Sequence, residues 1–161
     1  MRLSLAAALL AMSLAAQAQQ GPPDAGDAEV QYSAPPDLRL DGLIPLEMPR
    51  STLRFGVDPA SVSVGTDRIV RYVVVATSDT GAVNALYEGI RCRTGEFKVY
   101  ARHTPGAGWT QVKDSPWQSL QGQRHSQLIA REGACVGRGA NLTAAQVVHD
   151  LRSPVDRRFG N

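Results

Sequence analysis

Apolar and β-branched residues gather between positions 68 and 103 into three runs, 68–77 (RIVRYVVVAT), 82–93 (AVNALYEGIRCR) and 96–103 (EFKVYARH), with Gly81 and Gly95 between them. Val, Ile, Tyr and Phe suit a pleated, half-buried surface, so the pattern predicts three strands of an antiparallel meander. A turn centred on Asp79 and Thr80 sets Ile69 opposite Ile90, Arg71 opposite Glu88 and Val73 opposite Leu86. A second turn on Thr94 and Gly95 sets Cys92 opposite Phe97, Ile90 opposite Val99 and Gly89 opposite Tyr100. Since successive side chains point to opposite faces, one layer should hold Ile69, Val73, Leu86, Ile90, Cys92, Phe97 and Val99, with Arg71 and Glu88 as a cross-strand ion pair. The other layer should hold Val70, Tyr72, Val74, Ala85, Tyr87, Tyr100 and Arg102.

Shorter strands are expected at 52–57 and 61–64, separated by Asp58-Pro59, and a further one at 109–112. Residues 124–131 (RHSQLIAR) have helical spacing with Leu128 and Ile129 inward, and Gly133 should end that helix. A second helix is signposted by Thr143 with Gln146 three residues on, which makes a capping box, and by the apolar stripe Val147, Val148 and Leu151; Pro154 stops it, leaving 154–161 as a frayed tail.

The N-terminus has the pattern of a secretory signal: Arg2, an apolar run over 3–14, and the small-residue site Ala16-Gln17-Ala18. Cleavage after Ala18 is expected, and no cysteine sits nearby to take a lipid anchor. Export to the periplasm follows from this reading, without a transmembrane segment. Removing the signal takes one of the 17 basic residues and leaves 16 against 15 acidic ones, a balance with no nucleic-acid signature. Residues 19–42 are rich in Pro, Asp, Gly and Ala and read as a disordered tether, with a single α+β domain over 43–153. Within the boundary region, 38–48 (LRLDGLIPLEM) is apolar between its prolines, and either packs along the domain as an extended arm or binds a partner.

An isolated pair of cysteines, Cys92 and Cys135, points to a disulfide in an exported chain, since no C-x-x-C spacing suggests redox chemistry. Closing its loop is worth about 4 kcal/mol in the chain-entropy model. His103, His125 and His149 lie in separate elements without a metal-binding spacing, and neither a G-x-S-x-G elbow nor a phosphate-binding glycine loop occurs. No cofactor is implied. Glu88, a carboxylate in an apolar strand, is either half of the pair with Arg71 or an acid-base group with His103 or His125. Tyr72, Tyr87 and Tyr100 with Arg91, Lys98 and Arg102 make a candidate aromatic and basic binding face, unless a helix covers it. Trp109 and Trp117 are read as packing residues.

The VRY run at 70–72, the YEGIRC run at 87–92 and the later RHSQLIAREGAC run resemble the CNP1-like family of exported bacterial proteins over roughly 43–151. The resemblance implies an exported protein of a kind that includes lipoproteins, and this chain departs from that pattern in lacking the lipobox cysteine. The resemblance implies the fold unit and an envelope location, and no activity, substrate or site residue. The resulting expectation is a mainly antiparallel sheet with two C-terminal helices and one disulfide, acting as a non-catalytic periplasmic protein that binds a protein or envelope component. An envelope hydrolase built on Glu88 with His103 or His125, and a small-ligand carrier, are the alternatives.

Overall fold

The computed structural model describes residues 29–30 and 34–153. The expected signal segment and the tail from 154 lie outside them. Six strands run as an antiparallel meander in sequence order: β1 (Ile44–Leu46), β2 (Leu53–Val64), β3 (Ile69–Ser78), β4 (Val83–Arg91), β5 (Glu96–Thr104) and β6 (Gly108–Gln111). A two-residue strand, β7 (Gln118–Ser119), pairs with the start of β5, so β6 and β7 share its outer edge. Helix α1 (Arg124–Ile129) runs into a single π-helical turn at Ala130–Ala134, the small hairpin β8 (Cys135–Val136) and β9 (Gly139–Ala140), and helix α2 (Ala144–Arg152). This is the α+β architecture that the apolar pattern predicts.

The two expected short strands over 52–64 are one strand with an interruption between Asp58 and Ser63. Pro59 cannot donate to the ladder there. Ser61 restores the lost pairing, since its hydroxyl accepts the Val73 N–H at 2.8 Å and donates to the Asp58 carbonyl at 2.6 Å.

Both hairpin registers differ from expectation. Gly81, at φ 84°, closes a five-residue loop centred on Thr80, with Ser78 N–H bonded to the Ala82 carbonyl. The centre moves by half a residue and the pairing by one, giving Val70 opposite Ile90, Tyr72 opposite Glu88 and Val74 opposite Leu86. A one-residue shift exchanges faces, which carries Tyr72 onto the layer of Glu88 and Arg71 off it. In the next hairpin the loop closes through Gly95 N–H to the Arg91 carbonyl, and the pairing moves by two, so Cys92, Ile90, Phe97 and Val99 keep their common face. Beyond Val99 a bulge at Tyr100 shifts the register again.

One face of the sheet carries Val57, Val70, Tyr72, Val74, Ile90 and Val99, covered by Leu128 and Ile129 of α1 and by Val147 and Leu151 of α2. The opposite face carries Val73, Val75, Ala85, Tyr87, Tyr100 and Ala101, against Leu38, Leu43 and Trp109. Residues 29–30 and 34–42, inside the segment expected as a disordered tether, lie along that second face. Trp109 Nε1 donates to the Pro36 carbonyl at 2.9 Å, and Arg39 meets Asp58 at 3.2 Å. Leu38 and Leu43 supply the apolar contact that the composition of the preceding stretch does not suggest, and 38–48 is the packed arm.

The predicted disulfide is present. Cys92–Cys135 ties the end of β4 to the turn after α1 across 43 residues of chain. Gly133 sits inside the π turn rather than ending α1, because α2 crosses there: a Cβ on it would lie 2.5 Å from Leu151 Cγ and 2.9 Å from the Val147 carbonyl. Thr143 caps α2 as read, its hydroxyl accepting the Gln146 N–H at 3.1 Å. Asn141 then bridges the Gly133 carbonyl and the Asp150 carboxylate, fixing the π turn to α2.

Candidate functional site

The register that places Tyr72 opposite Glu88 creates a buried polar cluster on the helix side of the sheet. Tyr72 Oη donates to Glu88 Oε2 at 2.9 Å, and Ser126 Oγ donates to the same oxygen at 2.9 Å. His125 Nε2 lies 3.0 Å from Oε1 and 3.3 Å from Oε2. The first turn of α1 thus brings two consecutive side chains down onto one carboxylate. The Phe55 ring stacks on the imidazole at 5.2 Å between centroids. Burial, and then the Glu88 charge, push the Tyr72 phenol well above its ordinary value, so it remains a hydrogen-bond donor. The Arg71–Glu88 ion pair does not form, because the two residues point to opposite faces.

This arrangement satisfies a carboxylate more completely than it exposes one. Glu88 and Ser126 have no solvent-accessible surface and Tyr72 is 1 % exposed, so no substrate atom reaches them. Ser126 donates to Glu88 rather than to the imidazole, so the nucleophile-to-base contact of a hydroxyl nucleophile is missing. His103, the other proposed partner of Glu88, pairs with Ala85 on the far face and meets Trp109 edge-on at 5.2 Å. Among the described residues no group of three His, Cys, Asp or Glu side chains converges as a metal site.

On the arm side a second polar cluster forms around Arg71. Asp67 holds its guanidinium at both ends, Nη2 to Oδ2 at 2.6 Å and Nη1 to Oδ1 at 3.2 Å. Asp67 also accepts the backbone N–H groups of Ile69 and Val30. Burial disfavours both charges, and the hydrogen bonds outweigh it: the Asp67 carboxyl is held below the usual carboxylate range and Arg71 above its own. Glu29 reaches into the same place, 3.0 Å from Lys98 Nζ and 4.0 Å from Arg71 Nη2, beside the Tyr100 ring. Arg91 lies 4.0 Å over the Trp117 ring, with Lys98 at 5.7 Å.

The proposed aromatic face is therefore divided. Tyr72 belongs to the helix side, while Tyr87 and Tyr100 pack together at 5.6 Å beneath the arm. All three are buried, at 1, 4 and 1 % exposure. Tyr100 lies over Gly89, where a Cβ would come within 2.7 Å of the ring. Arg91 stays beside Trp117. Arg102, opposite Leu86, is exposed at one end of the helix-side face. That end forms a cleft of about 250 Å³ with Phe55, Val74, Ala76 and Leu86 as its apolar lining and Arg102 and Thr104 on β5. The sequence reading weighs the Glu88–His125 contact but misses Tyr72, because a turn centred half a residue early puts it on the other face, and misses Ser126, because the first turn of α1 reads as exposed. It missed Glu29 because the surrounding composition is that of a linker.

The model of the CNP1-like family matches residues 24–152, and the chain belongs to that family. The match takes in the arm with Glu29 as well as the sheet and both helices. No curated protein and no solved structure matches the chain.

Proposed function

We propose that this CNP1-like chain is a non-catalytic protein of the bacterial periplasm, exported by a signal segment cleaved after Ala18, that binds a protein or cell-envelope component at the open cleft beside Phe55. The observation that carries this reading is the contrast on one sheet face. Where acid-base groups meet, at Glu88, His125 and Ser126, the helices seal them from solvent. Where the face is open, its lining is mainly apolar, with Asn84, Arg102, His103 and Thr104 as its polar residues and no carboxylate among them, which is the composition of a recognition surface. The Cys92–Cys135 bond supports an oxidising compartment. No helix among the described residues is long and apolar enough to cross a membrane.

Site-specific photocrosslinking in cells tests the proposal. A photoreactive residue at Thr104, on the cleft, should give a discrete adduct that Leu86→Asp and Arg102→Glu each remove, while the same probe at Leu142, which is 76 % exposed elsewhere, gives none. Identical adduct patterns at both positions would count against the cleft. Ester or peptide hydrolysis by the purified chain that disappears in His125→Asn would overturn the non-catalytic reading.

A further inference from the structure

The cleft beside Phe55 crosses four strands, and its charge and length together describe what fits it. Phe55 on β2 lies opposite Ala76 on β3, while Val74, Leu86 and Arg102 follow one another in register across β3, β4 and β5. Apolar side chains therefore occupy the β2 to β4 part, and Arg102 stands at the β5 end. A solvated arginine needs no partner; what singles out Arg102 is its place at the end of an apolar groove. It is exposed, it pairs with no carboxylate among the described residues, and the lining holds no acid that would repel one.

The spacing restricts the shape of an occupant. Neighbouring strands lie about 4.8 Å apart, so the three steps from Phe55 to Arg102 span about 14 Å. An extended segment sets its same-side side chains about 6.6 Å apart, so three consecutive ones cover about 13 Å. Side chains at positions i, i+2 and i+4 then meet Phe55 with Ala76, next Leu86, and last Arg102. Asn84 and Thr104, both exposed, stand among the lining residues as partners for the segment's backbone. The cleft holds about 250 Å³, less than the roughly 300–1,000 Å³ that encloses a small molecule, so it suits side chains laid in from a longer chain.

We propose that the occupant of this cleft is an extended, acidic segment of a partner protein with the pattern apolar-x-apolar-x-acid, its apolar side chains on Phe55, Ala76 and Leu86 and its carboxylate on Arg102. This rests on the cleft being the binding surface and adds the chemistry of what it binds. An exposed ion pair changes affinity by about fivefold at most, so the apolar positions carry most of the binding and Arg102 sets the preference for an acid.

Amide chemical shifts of the full mature chain, titrated with short blocked peptides, test this. The peptides are acetyl-Leu-Ser-Leu-Ser-Glu-amide, its Gln and Lys counterparts, and acetyl-Leu-Ser-Leu-Glu-Ser-amide, in which the acid moves to the solvent side. The first should shift the amides of Leu86, Arg102 and Thr104 along one saturable curve. At low salt it should bind about threefold to fivefold more tightly than the Gln peptide. Arg102→Glu changes an exposed position and leaves the core untouched, and it should reverse the order so that the Lys peptide binds best. Less than a twofold difference between Glu and Gln peptides, equal binding of the displaced acid, or no reversal in Arg102→Glu overturns the proposal. If the Thr104 photoadduct forms in cells while the peptides bind alike, the cleft still binds a partner and the acidic occupant is wrong. If no adduct forms and no peptide moves a cleft amide, the reading of the cleft fails together with its occupant. Cleft shifts with lysophosphatidylglycerol micelles and none with the peptides overturn the proposal in favour of a lipid.

Discussion

Replacing Tyr72 by Phe tests whether the Glu88 cluster is structural. The substitution keeps the ring and its packing and deletes one hydroxyl, the donor 2.9 Å from Glu88 Oε2. Glu88 has no exposed surface and Tyr72 is 1 % exposed, so water does not take over the lost bond. A hydrogen bond to a charged group contributes about 1.5–3 kcal/mol, and the buried phenylalanine regains a little because no hydroxyl need be desolvated. The expected loss is about 2 kcal/mol, a large share of the roughly 5–15 kcal/mol that holds a domain folded. For a domain of about 120 residues, with an unfolding entropy near 2.1 cal/mol/K per residue, that lowers Tm by about 8 °C. Urea unfolding of wild type, Tyr72→Phe, Glu88→Gln and the double variant gives the coupling directly, expected at about 1–2 kcal/mol. The raised Tyr72 phenol also makes this gap depend on pH. A group whose folded value is raised contributes stability that is complete below its unfolded value near 10 and is lost as pH rises beyond it, so the gap between wild type and Tyr72→Phe should narrow in alkali. A Tyr72→Phe protein within about 0.5 kcal/mol of wild type, or a coupling near zero, would refute the reasoning.

Gly133→Ala should destabilise by about 2 kcal/mol or more, measured by thermal unfolding, because its Cβ would meet Leu151 and the Val147 carbonyl where neither can withdraw without moving α2. Reducing the Cys92–Cys135 bond should cost up to about 4 kcal/mol, read as a lower urea midpoint with reductant present. Asp67→Asn should be destabilised at neutral pH. Because the Asp67 carboxyl is depressed, the wild-type advantage should hold above its unfolded value near 4 and disappear as pH falls below it, seen in urea midpoints between pH 2 and 7.

How far the sequence revealed this molecule depended on which features are set by alternation alone. Ile90, Cys92, Phe97 and Val99 were placed on one face correctly even though the second hairpin shifted by two residues, since a shift of two preserves alternation. The first hairpin shifted by one, and that single residue reassigned Tyr72, Arg71 and Glu88. The cause is local: Gly81 adopts a left-handed conformation that admits a five-residue loop, and Asp79-Thr80-Gly81 does not distinguish that loop from a shorter one beforehand. The candidate site inherits the same limit. That a carboxylate in an apolar strand needs partners was legible at Glu88; which partners it has depended on parity, and on a helix whose two polar residues, His125 and Ser126, look like an ordinary exposed first turn.

The two faces of the sheet are also held by different kinds of force. On the helix side, a disulfide, a fully satisfied carboxylate and close helix contacts at Gly133 leave little that can rearrange without unfolding. The arm side holds Tyr87 and Tyr100 under a segment secured by Leu38 and Leu43, a few hydrogen bonds, and the partly exposed Arg39–Asp58 and Lys98–Glu29 pairs. Partly exposed ion pairs of that kind are each worth about 1 kcal/mol or less. Tyr87 and Tyr100 are thus closed to solvent by the arm, whereas the Glu88 cluster is closed by two helices and a disulfide.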